Sequence, residues 1–412
     1  MPDRDVDVLI VGAGAAGAAC AEGLARDRRF GGSILLVGRE ADPPYERPPA
    51  SKGYLRGELD REATYLHPAA WWEERGVELL TRTSAMKLDT EARVAKLSSK
   101  EELGYGEAVL ATGANVRRLR VPGAELEGIH YLRALGNADA IRADAAEAEH
   151  VVLVGGSYIA CEVAASLTMM GRRCTMVMLE DAPLATGFGR AVGEFVAGVL
   201  REHGVELVTA DPLERFEGDG SVGRVVTASG RSIEADLVVM GTGAVPDVML
   251  ARSAGLELGE TGGVACSARL ETSAAGVWAA GDTCEYHSVL HNRRVRIEHW
   301  EAARAQGKAA AAAVAGRPAD FAEVPYFWSD IADWCTLEYV GPAYGWDREV
   351  VRGSIDEGRF AVFYLSGGRV AAGLSVGRPE DLMQARRMLA EGTELGGRAD
   401  ELADEGADLS EL

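Results

Sequence analysis

The stretch that decides the fold covers residues 7–25 and reads DVLIV, then GAGAAG, then AACAEGLA. Residues 7–11 form a short apolar run, which predicts a buried strand. Residues 12–17 have the spacing G-x-G-x-x-G, and residues 18–25 are small and helix-forming. A strand, a glycine turn and a helix in this order predict a dinucleotide-binding βαβ unit, with phosphate at the helix N-terminus.

The three glycines of this first glycine turn (residues 12–17) each have a physical task. Gly12 permits the turn, Gly14 lets backbone N–H groups approach a pyrophosphate, and Gly17 lets the helix pack on the strand. A second strand is predicted at residues 33–37. Because Glu40 follows it closely, an acidic side chain is expected where an adenosine ribose would lie.

A second glycine turn (residues 155–160, GGSYIA) follows an apolar run at residues 151–154. Ser157 and Ala160 stand where the pattern has its second and third glycines, so a less close approach of backbone to pyrophosphate is expected. The candidate nucleotide contacts are Gly155, Gly156, Tyr158, Ile159 and Glu180, the last at the end of a strand predicted at residues 174–179. A carboxylate there would accept hydrogen bonds from a ribose 2′-OH and repel a 2′-phosphate, which favours NADH over NADPH.

Composition and charge restrict the class of protein. A chain of 412 residues with 50 glycines fits two or three α/β domains. Its net charge of -21 repels nucleic-acid phosphates and anionic lipids, so neither nucleic acid nor membrane is expected as a partner. The longest apolar candidate, residues 309–315, is too short to span a bilayer, and the first residues lack the basic region of a signal peptide. A cytoplasmic enzyme is the expectation.

The six cysteines are scattered along the chain without a C-x-x-C or C-x4-C pair. This spacing argues against a redox-active dithiol, a zinc site and an iron–sulfur cluster. The histidines also lack metal-ligand spacing. We therefore expect buried, unreactive thiols and no metal.

The remaining segments indicate further elements. Thr112 and Gly243 lie in glycine junctions that follow apolar strands, which suggests crossings between domains. From about residue 325 the pattern alternates and predicts antiparallel strands, for example at residues 359–365 and 369–375. A helix is predicted at residues 379–390. The acidic tail, residues 399–412, is expected to be a solvated or frayed end.

Several motifs, in order, resemble those of the FAD-dependent, NADH-linked ferredoxin reductases that serve bacterial oxygenases and P450s. This family is related to apoptosis-inducing factor and glutathione reductase. The most specific segment is PYERPPASK at residues 44–52, which resembles P-Y-x-R-P-P-L-S-K with Ala50 in place of leucine. Further matches are ATGA at 111–114, HYLR at 130–133, GD at 281–282, RIEHW at 296–300 and YFWSD at 326–330.

The resemblance implies an α/β fold with two Rossmann-like dinucleotide-binding domains and a small α+β C-terminal interface domain. The FAD domain would be discontinuous, made of residues 1–112 and 245–320. The NAD domain would be inserted at residues 113–244, and residues 321–412 would form the interface domain with its acidic tail.

The resemblance also implies which residues touch the cofactors. Ala16, with the turn glycines, would contact the FAD pyrophosphate, Glu40 or Arg39 the ribose, and Ala85 the adenine. Most of the family has the ribose carboxylate one position earlier, where this chain has Arg39. The remaining implied FAD contacts are Arg47, Thr112, Arg133, Asp282, Trp300 and Trp328.

Lys52 and Glu162 are the residues to which the resemblance assigns the chemistry. Lys52 would approach the flavin N5 and pair with Glu162, on the helix after the second glycine turn. A cation in that place would stabilise electron-rich reduced flavin.

The implied activity is hydride transfer from NADH to FAD, followed by single-electron transfer to a ferredoxin-type iron–sulfur protein. Because ferredoxins are commonly acidic, a local basic patch is required, and the candidates are Arg293, Arg294, Arg296 and Arg304. One alternative is an NADH diaphorase or oxidase that uses quinone, dye or oxygen. Another is a redox sensor like apoptosis-inducing factor, with NADH-induced dimerisation. The sequence leaves the acceptor open, and the protein could be a monomer or a homodimer.

Overall fold

The computed structural model describes residues 2–342 and 345–412. Its internal contacts divide the chain into two compact units. Unit 1 contains residues 1–47, 64–115 and 245–327, and unit 2 contains residues 48–63, 116–244 and 328–412. The chain passes from one unit to the other five times, and two of these passages lie in the short strands Ala114–Val116 and Ala244–Pro246.

Unit 1 is built around a seven-stranded sheet. Its parallel strands are Val77–Leu80, Ile34–Val37, Arg4–Val11, Glu102–Leu110 and Val277–Ala279, and Val94–Leu97 and Ala85–Asp89 extend it antiparallel. Leu9, Ile10 and Leu36 are fully buried in it, which accounts for continuous apolar runs rather than alternation. A three-stranded sheet contains Val264–Cys266, Cys284–Ser288 and Arg293–Arg296.

Two helices of unit 1, Ala15–Arg26 and Trp300–Val314, pack closely because their contact residues are small. A Cβ on Gly307 would lie 2.1 Å from the carbonyl oxygen of Ala16, and one on Gly23 would lie 2.8 Å from the Ala311 Cβ. The apolar run at residues 309–315 thus packs on a neighbouring helix. The other helices of unit 1 are Ala69–Glu74 and Met249–Ser253.

Unit 2 contains a second parallel sheet of five strands, in the order Glu206–Val208, Arg173–Val177, His150–Val154, Leu237–Met240 and Ile129–Tyr131. Its helices here are Leu135–Glu147, Tyr158–Met169, Ala185–Phe188 and Arg190–Glu202. An antiparallel sheet of Leu213–Asp219, Ser221–Thr227 and Ser232–Glu234 adjoins it in sequence.

The C-terminal part of the chain forms another five-stranded sheet, in the order Tyr326–Ile331, Cys335–Val340, Arg369–Val376, Arg359–Ser366 and Arg348–Ser354. The helix Pro379–Glu391 packs on it. Short 3-10 helices occur at Pro48–Ser51, Glu62–Thr64, Gly396–Ala403 and Leu409–Glu411.

The expectation of a solvated or frayed C-terminal tail is wrong. Arg352, only 6% exposed, donates hydrogen bonds to the backbone carbonyls of Glu405 and Ala407, at 3.2 and 3.0 Å. Leu402 and Leu409 are buried. The tail is therefore held in the fold despite its acidic composition, and a buried guanidinium and two buried leucines contribute to this.

The predicted elements are otherwise confirmed, with shifted ends. The strands expected at residues 359–365 and 369–375 are Arg359–Ser366 and Arg369–Val376, and the helix expected at 379–390 is Pro379–Glu391. The three-domain boundaries stay a prediction. Residues 48–63, which the resemblance assigns to the FAD domain, group here with unit 2. Among the described residues, no helix is long and apolar enough to cross a membrane.

Candidate functional site

The first glycine turn in unit 1 has the geometry of a phosphate cradle. Gly12 has a φ of +114°, and a Cβ there would lie 2.1 Å from the Ala111 carbonyl oxygen. A Cβ on Gly17 would lie 1.8 Å from the Gly12 carbonyl oxygen, so helix and strand can approach only because this residue is glycine. A Cβ on Gly14 would meet nothing within 4 Å. The turn is therefore open to a ligand on the side of Gly14.

The helix N-terminus beside this turn is free to bind an anion. Gly14 is its N-cap and offers no side-chain acceptor, and the first turn contains no acidic residue. The first backbone N–H groups of the helix thus keep their donors and the positive end of the helix dipole. These residues, Ala16 included, fit the pyrophosphate of a dinucleotide.

Five buried polar side-chain atoms of unit 1 have no hydrogen-bond partner among the described residues, and Gln306 Nε2 and His299 Nδ1 are two of them. The Gln306 Oε1 accepts from the Gly281 N–H at 2.7 Å, next to Asp282. Burial lowers the pKa of His299 to about 4, although Asp282 acts in the opposite direction. Since buried polar groups normally have partners, these atoms fit a site that a polar ligand completes.

Glu40 and Arg39 have different surroundings. Glu40 accepts hydrogen bonds from Tyr45 Oη at 2.6 Å and from Arg47 Nη2 at 2.8 Å. Arg39 is exposed and donates to Asp247 at 2.9 Å and to Asn115 at 2.7 Å. Glu40 thus supplies the half-buried carboxylate beyond the second strand, while Arg39 is tied to the segment near Asp247.

Arg47 connects Glu40 electrostatically with Asp282. Burial acts to lower the pKa of Arg47, but Tyr45, Glu40 and Asp282 outweigh it and raise that pKa above its ordinary value. Unit 1 thus brings together a cation and two carboxylates from distant parts of the sequence.

The other residues predicted to contact FAD in unit 1 lie on separate elements. Thr112 Oγ1 donates to the Asp247 carbonyl at 2.6 Å. Ala85 begins the strand Ala85–Asp89, and Trp300 begins the helix Trp300–Val314, half-buried. The backbone N–H groups of that helix start are available at Trp300.

The second glycine turn in unit 2 keeps the same backbone path. Gly155 has a φ of +113°, and a Cβ there would lie 2.4 Å from the Gly241 carbonyl oxygen. A Cβ on Gly241 would lie 2.6 Å from the Ala160 Cβ. The methyl group of Ala160 therefore fits only because residue 241, which faces it, is a glycine without a Cβ.

Ser157 changes the chemistry of this helix start. Its Oγ accepts from the Ala160 N–H at 3.3 Å, which makes it the N-cap of the helix Tyr158–Met169. The second glycine turn therefore has one fewer unpaired backbone N–H group at its helix start than the first glycine turn, where the N-cap Gly14 has no side chain. Tyr158 and Ile159 occupy the first helical positions.

Glu180 and Gly243 lie near the two ends of this turn. The Glu180 Oε2 is 3.3 Å from where a Cβ of Gly156 would stand, so its carboxylate lies over the turn. Gly243 has a φ of +87°, and its carbonyl accepts from the Arg117 N–H at 2.9 Å. The carboxylate over the turn fits the expectation that Glu180 accepts hydrogen bonds from a ribose.

Lys52 and Glu162 form an ion pair in unit 2. Lys52 Nζ lies 2.7 Å from Glu162 Oε2, and the side chains are 17% and 4% exposed. Ser51 Oγ donates to the same oxygen at 2.5 Å, and Ser329 Oγ donates to Oε1 at 2.7 Å. A buried carboxylate thus holds a lysine with the help of two hydroxyl groups.

Arg133 and Trp328 belong to unit 2, unlike most of the other predicted FAD contacts. Arg133 lies between the strand Ile129–Tyr131 and the helix Leu135–Glu147, where its N–H donates to Asn137 Oδ1. Trp328 is half-buried on the strand Tyr326–Ile331, next to Ser329.

Comparison with known proteins decides the family. The profile of pyridine nucleotide-disulphide oxidoreductases matches residues 6–307. The chain belongs to this family. A second profile, the reductase C-terminal domain, matches residues 326–412 and therefore includes the acidic tail.

Relatives within this oxidoreductase family match over nearly the whole chain. Rhodocoxin reductase of Rhodococcus erythropolis is 35% identical over 98% of this chain and 93% of its own length. Putidaredoxin reductase of Pseudomonas putida is 33% identical over 98% and 96%. The crystal structure of the covalent putidaredoxin reductase–putidaredoxin complex matches with a TM-score of 0.92 at 33% identity, covering 100% of this chain and 98% of that one.

These matches confirm the resemblance and the fold class predicted from the sequence. The protein is an FAD-dependent oxidoreductase that uses NAD(H). The roles of individual site residues stay predictions.

The thiol groups are in keeping with chemistry that uses no dithiol. All six cysteines are free and buried. Burial raises the pKa of the Cys20 and Cys335 thiols to about 12, so the reactive thiolate is not populated at neutral pH. The described residues bring together no group of three or more side chains suited to a metal ion.

The four arginines proposed as a basic patch differ in their availability. Arg293 and Arg294 are exposed on the strand Arg293–Arg296, and Arg294 donates to two backbone carbonyls. Arg296 forms an ion pair with Glu298. Arg304 is half-buried. Arg293 and Arg294 are therefore the most exposed of the four.

Sequence reasoning missed Ser51 and Ser329 as candidate site residues. Both were visible inside motifs, Ser51 directly before Lys52 and Ser329 directly after Trp328. Nothing in either motif shows that the two hydroxyl groups meet at one carboxylate, because they are 278 positions apart (329 − 51). Asp247, which accepts a hydrogen bond from Arg39, lies in no sequence motif that would have singled it out.

Proposed function

We propose that this protein takes hydride from NADH onto FAD and passes electrons one at a time to a ferredoxin-type iron–sulfur protein. The observation that carries the proposal is that the likeness to ferredoxin reductases extends over the whole chain, including the C-terminal sheet and tail.

Unit 1 would hold FAD. The open N–H groups around Gly12, Gly14, Ala16 and Gly17 would bind the pyrophosphate, and Glu40 the adenosine ribose. Arg47 and Asp282 would fix the central part of the cofactor. We further assign contacts to Ala85, Thr112, Trp300, Arg133 and Trp328, as the family resemblance implies.

Unit 2 would hold NADH. Gly155, Gly156, Tyr158 and Ile159 would face the pyrophosphate, and Glu180 would accept from the ribose hydroxyls. The Glu180 carboxylate lies over the turn, where a 2′-phosphate would be repelled. NADH is therefore the proposed donor.

The Lys52–Glu162 pair would supply the polar chemistry. Bound FAD contributes the capacity to accept a hydride and to release electrons singly. The Lys52 ammonium group would place positive charge where negative charge develops, and Glu162 would hold it there. Because the pair is largely buried, the charge acts through a low dielectric and is worth more than on the surface.

The acceptor is proposed from the thiols and the charge. Six buried thiols with no exposed pair do not suit a dithiol substrate. On a chain with a net charge of -21, Arg293 and Arg294 offer an exposed positive surface to an acidic electron carrier. We propose a cytoplasmic enzyme, a monomer or a homodimer.

The proposal is tested by steady-state turnover with NADH and several acceptors. Ferredoxin with cytochrome c as the final acceptor should give much faster NADH oxidation than quinone, dye or oxygen alone. Equal rates with and without every ferredoxin tried, together with fast quinone or dye reduction, would instead identify a diaphorase.

A further inference from the structure

The Glu162 carboxylate in unit 2 is held by three donors from two segments of the chain. Lys52 and Ser51 occupy Oε2, at 2.7 and 2.5 Å. Ser329 occupies Oε1, at 2.7 Å. Ser51 is 3% exposed, Glu162 4% and Ser329 0%. The Oε1 atom of this carboxylate therefore has its hydrogen-bond donor in the C-terminal sheet.

The two oxygens have different donors, and this fixes the plane of the carboxylate. A carboxylate that can rotate about its last bond carries a partner lysine with it, because a lysine side chain is long and flexible. Here the Ser329 hydroxyl donates a hydrogen bond to Oε1, and the Ser51 hydroxyl donates one to Oε2. The position of the Lys52 ammonium group is then set by Glu162.

Ser329 is well placed to act as a fixed point. It lies on the strand Tyr326–Ile331, whose neighbour in the sheet is Cys335–Val340. Ser51 lies in a short 3-10 helix, and its carbonyl accepts from the buried Ser166 hydroxyl at 2.7 Å. Each serine is thus anchored independently of Lys52.

We propose that Ser329 is a positioning residue for Lys52, acting through Glu162. The C-terminal sheet then contributes to the NADH-linked step. This inference rests on the proposed role of Lys52 beside the flavin. Loss of the Ser329 hydroxyl leaves Oε1 without its donor, loosens the carboxylate and displaces the ammonium group.

The test uses Ser329→Ala in the holoenzyme, with Ser375→Ala as matched control. Ser375 is a fully buried serine in the same sheet, and its Oγ accepts from the Arg378 N–H at 3.0 Å, away from Glu162. The limiting rate of flavin reduction by NADH is measured anaerobically. We expect Ser329→Ala to lower it about three- to tenfold, with the Kd for NADH nearly unchanged. Ser375→Ala should leave both unchanged.

A second readout needs no turnover. Acetic anhydride acylates accessible lysine amines, and peptide mass spectrometry gives the extent at Lys52 in the oxidised holoenzyme. Since Lys52 is 17% exposed and paired, its labelling should be slow and should rise several-fold in Ser329→Ala. Ser329→Thr, which keeps a hydroxyl group, should restore the wild-type value if it folds.

Ser51→Ala provides an independent route if Ser329→Ala is unstable. Because both hydroxyls hold one carboxylate, Ser51→Ala should also raise Lys52 labelling, and the two effects should not add.

Wild-type labelling and wild-type flavin reduction in Ser329→Ala would overturn the inference. If Lys52→Met also reduced flavin at the wild-type rate, the proposed role of Lys52 would fail as well. A slow Lys52→Met with an unaffected Ser329→Ala would overturn the Ser329 inference alone.

Discussion

At the scale of single residues, Lys52 has the most direct consequence for the chemistry. It is the cation that a buried glutamate holds in unit 2, at an ion-pair distance of 2.7 Å. A buried ion pair of this kind adds little to the free energy of unfolding, because the cost of desolvating both charges offsets their attraction. The pair is therefore better explained by a chemical role of the lysine than by a contribution to stability.

We expect Lys52→Met to slow flavin reduction by NADH by about 10²-fold, since one preorganised electrostatic contact is commonly worth that much. Anaerobic stopped-flow absorbance measures this rate. Lys308→Met is the control, because Lys308 is exposed in the helix Trp300–Val314 and is assigned no role. A normal rate in Lys52→Met would contradict the assignment.

His299 gives the chain a predictable pH dependence of stability. Burial holds its pKa in the folded protein at about 4, below the ordinary 6.5. Between these values the unfolded chain binds the extra proton, so the free energy of unfolding falls as the pH falls, by up to about 3 kcal/mol. Urea unfolding of the apoprotein from about pH 7 to pH 4.5 should show a shallower decline in His299→Gln than in wild type. Identical slopes would refute this.

At the scale of elements, we expect the second glycine turn to decide which nicotinamide cofactor binds. Glu180 lies over that turn and Ser157 caps its helix. The turn has fewer open donors than the first turn, so the ribose contact should carry more of the specificity.

Glu180→Gln should weaken NADH binding about tenfold and narrow the preference for NADH over NADPH, because the amide keeps the shape but loses the charge. Kd values from flavin reduction by each nucleotide measure the effect. Asp181→Asn, the exposed neighbouring acid, is the control and should keep the wild-type preference. An unchanged ratio in Glu180→Gln would exclude Glu180 from the ribose site.

The C-terminal tail is the element where a single arginine matters most. Arg352 donates to four tail carbonyls and lies 3.0 Å from Asp381, which is itself buried. Arg352→Met should destabilise the C-terminal part by about 3 kcal/mol and expose the tail to proteases. Arg348→Met removes only an exposed ion pair with Asp400 and should cost less than about 1 kcal/mol. Equal losses in the two variants would disprove the anchoring role.

The sequence predicts well those features that depend on neighbouring residues. Both glycine turns, their strands and helices, and the resemblance that implied Lys52 and Glu162 all depend on local patterns. The tail was misjudged because its acidic composition is visible, whereas its anchor Arg352 lies about 50 residues earlier and shows no pattern. Ser329 was missed for the same reason, since its partner Glu162 is 167 positions away.

At the scale of the whole molecule, the proposed function has two steps that should respond differently to salt. These steps are docking of the electron acceptor and reduction of the flavin by NADH. A net charge of -21 makes docking of an acidic carrier dependent on local positive surface, which Arg293 and Arg294 supply. Reduction of the flavin by NADH, in contrast, depends on buried groups. High salt should therefore slow ferredoxin reduction more than flavin reduction, because salt screens exposed charges most.

The central claim is that one chain converts a two-electron donor into single electrons. It is tested most directly by an anaerobic titration of the yellow holoprotein with NADH alone, followed by addition of excess oxidised ferredoxin. The account predicts that NADH bleaches the flavin absorbance, that ferredoxin restores it, and that two ferredoxins are reduced for each NADH consumed. A flavin that NADH does not bleach, or one that stays bleached in the presence of excess oxidised ferredoxin, would contradict it.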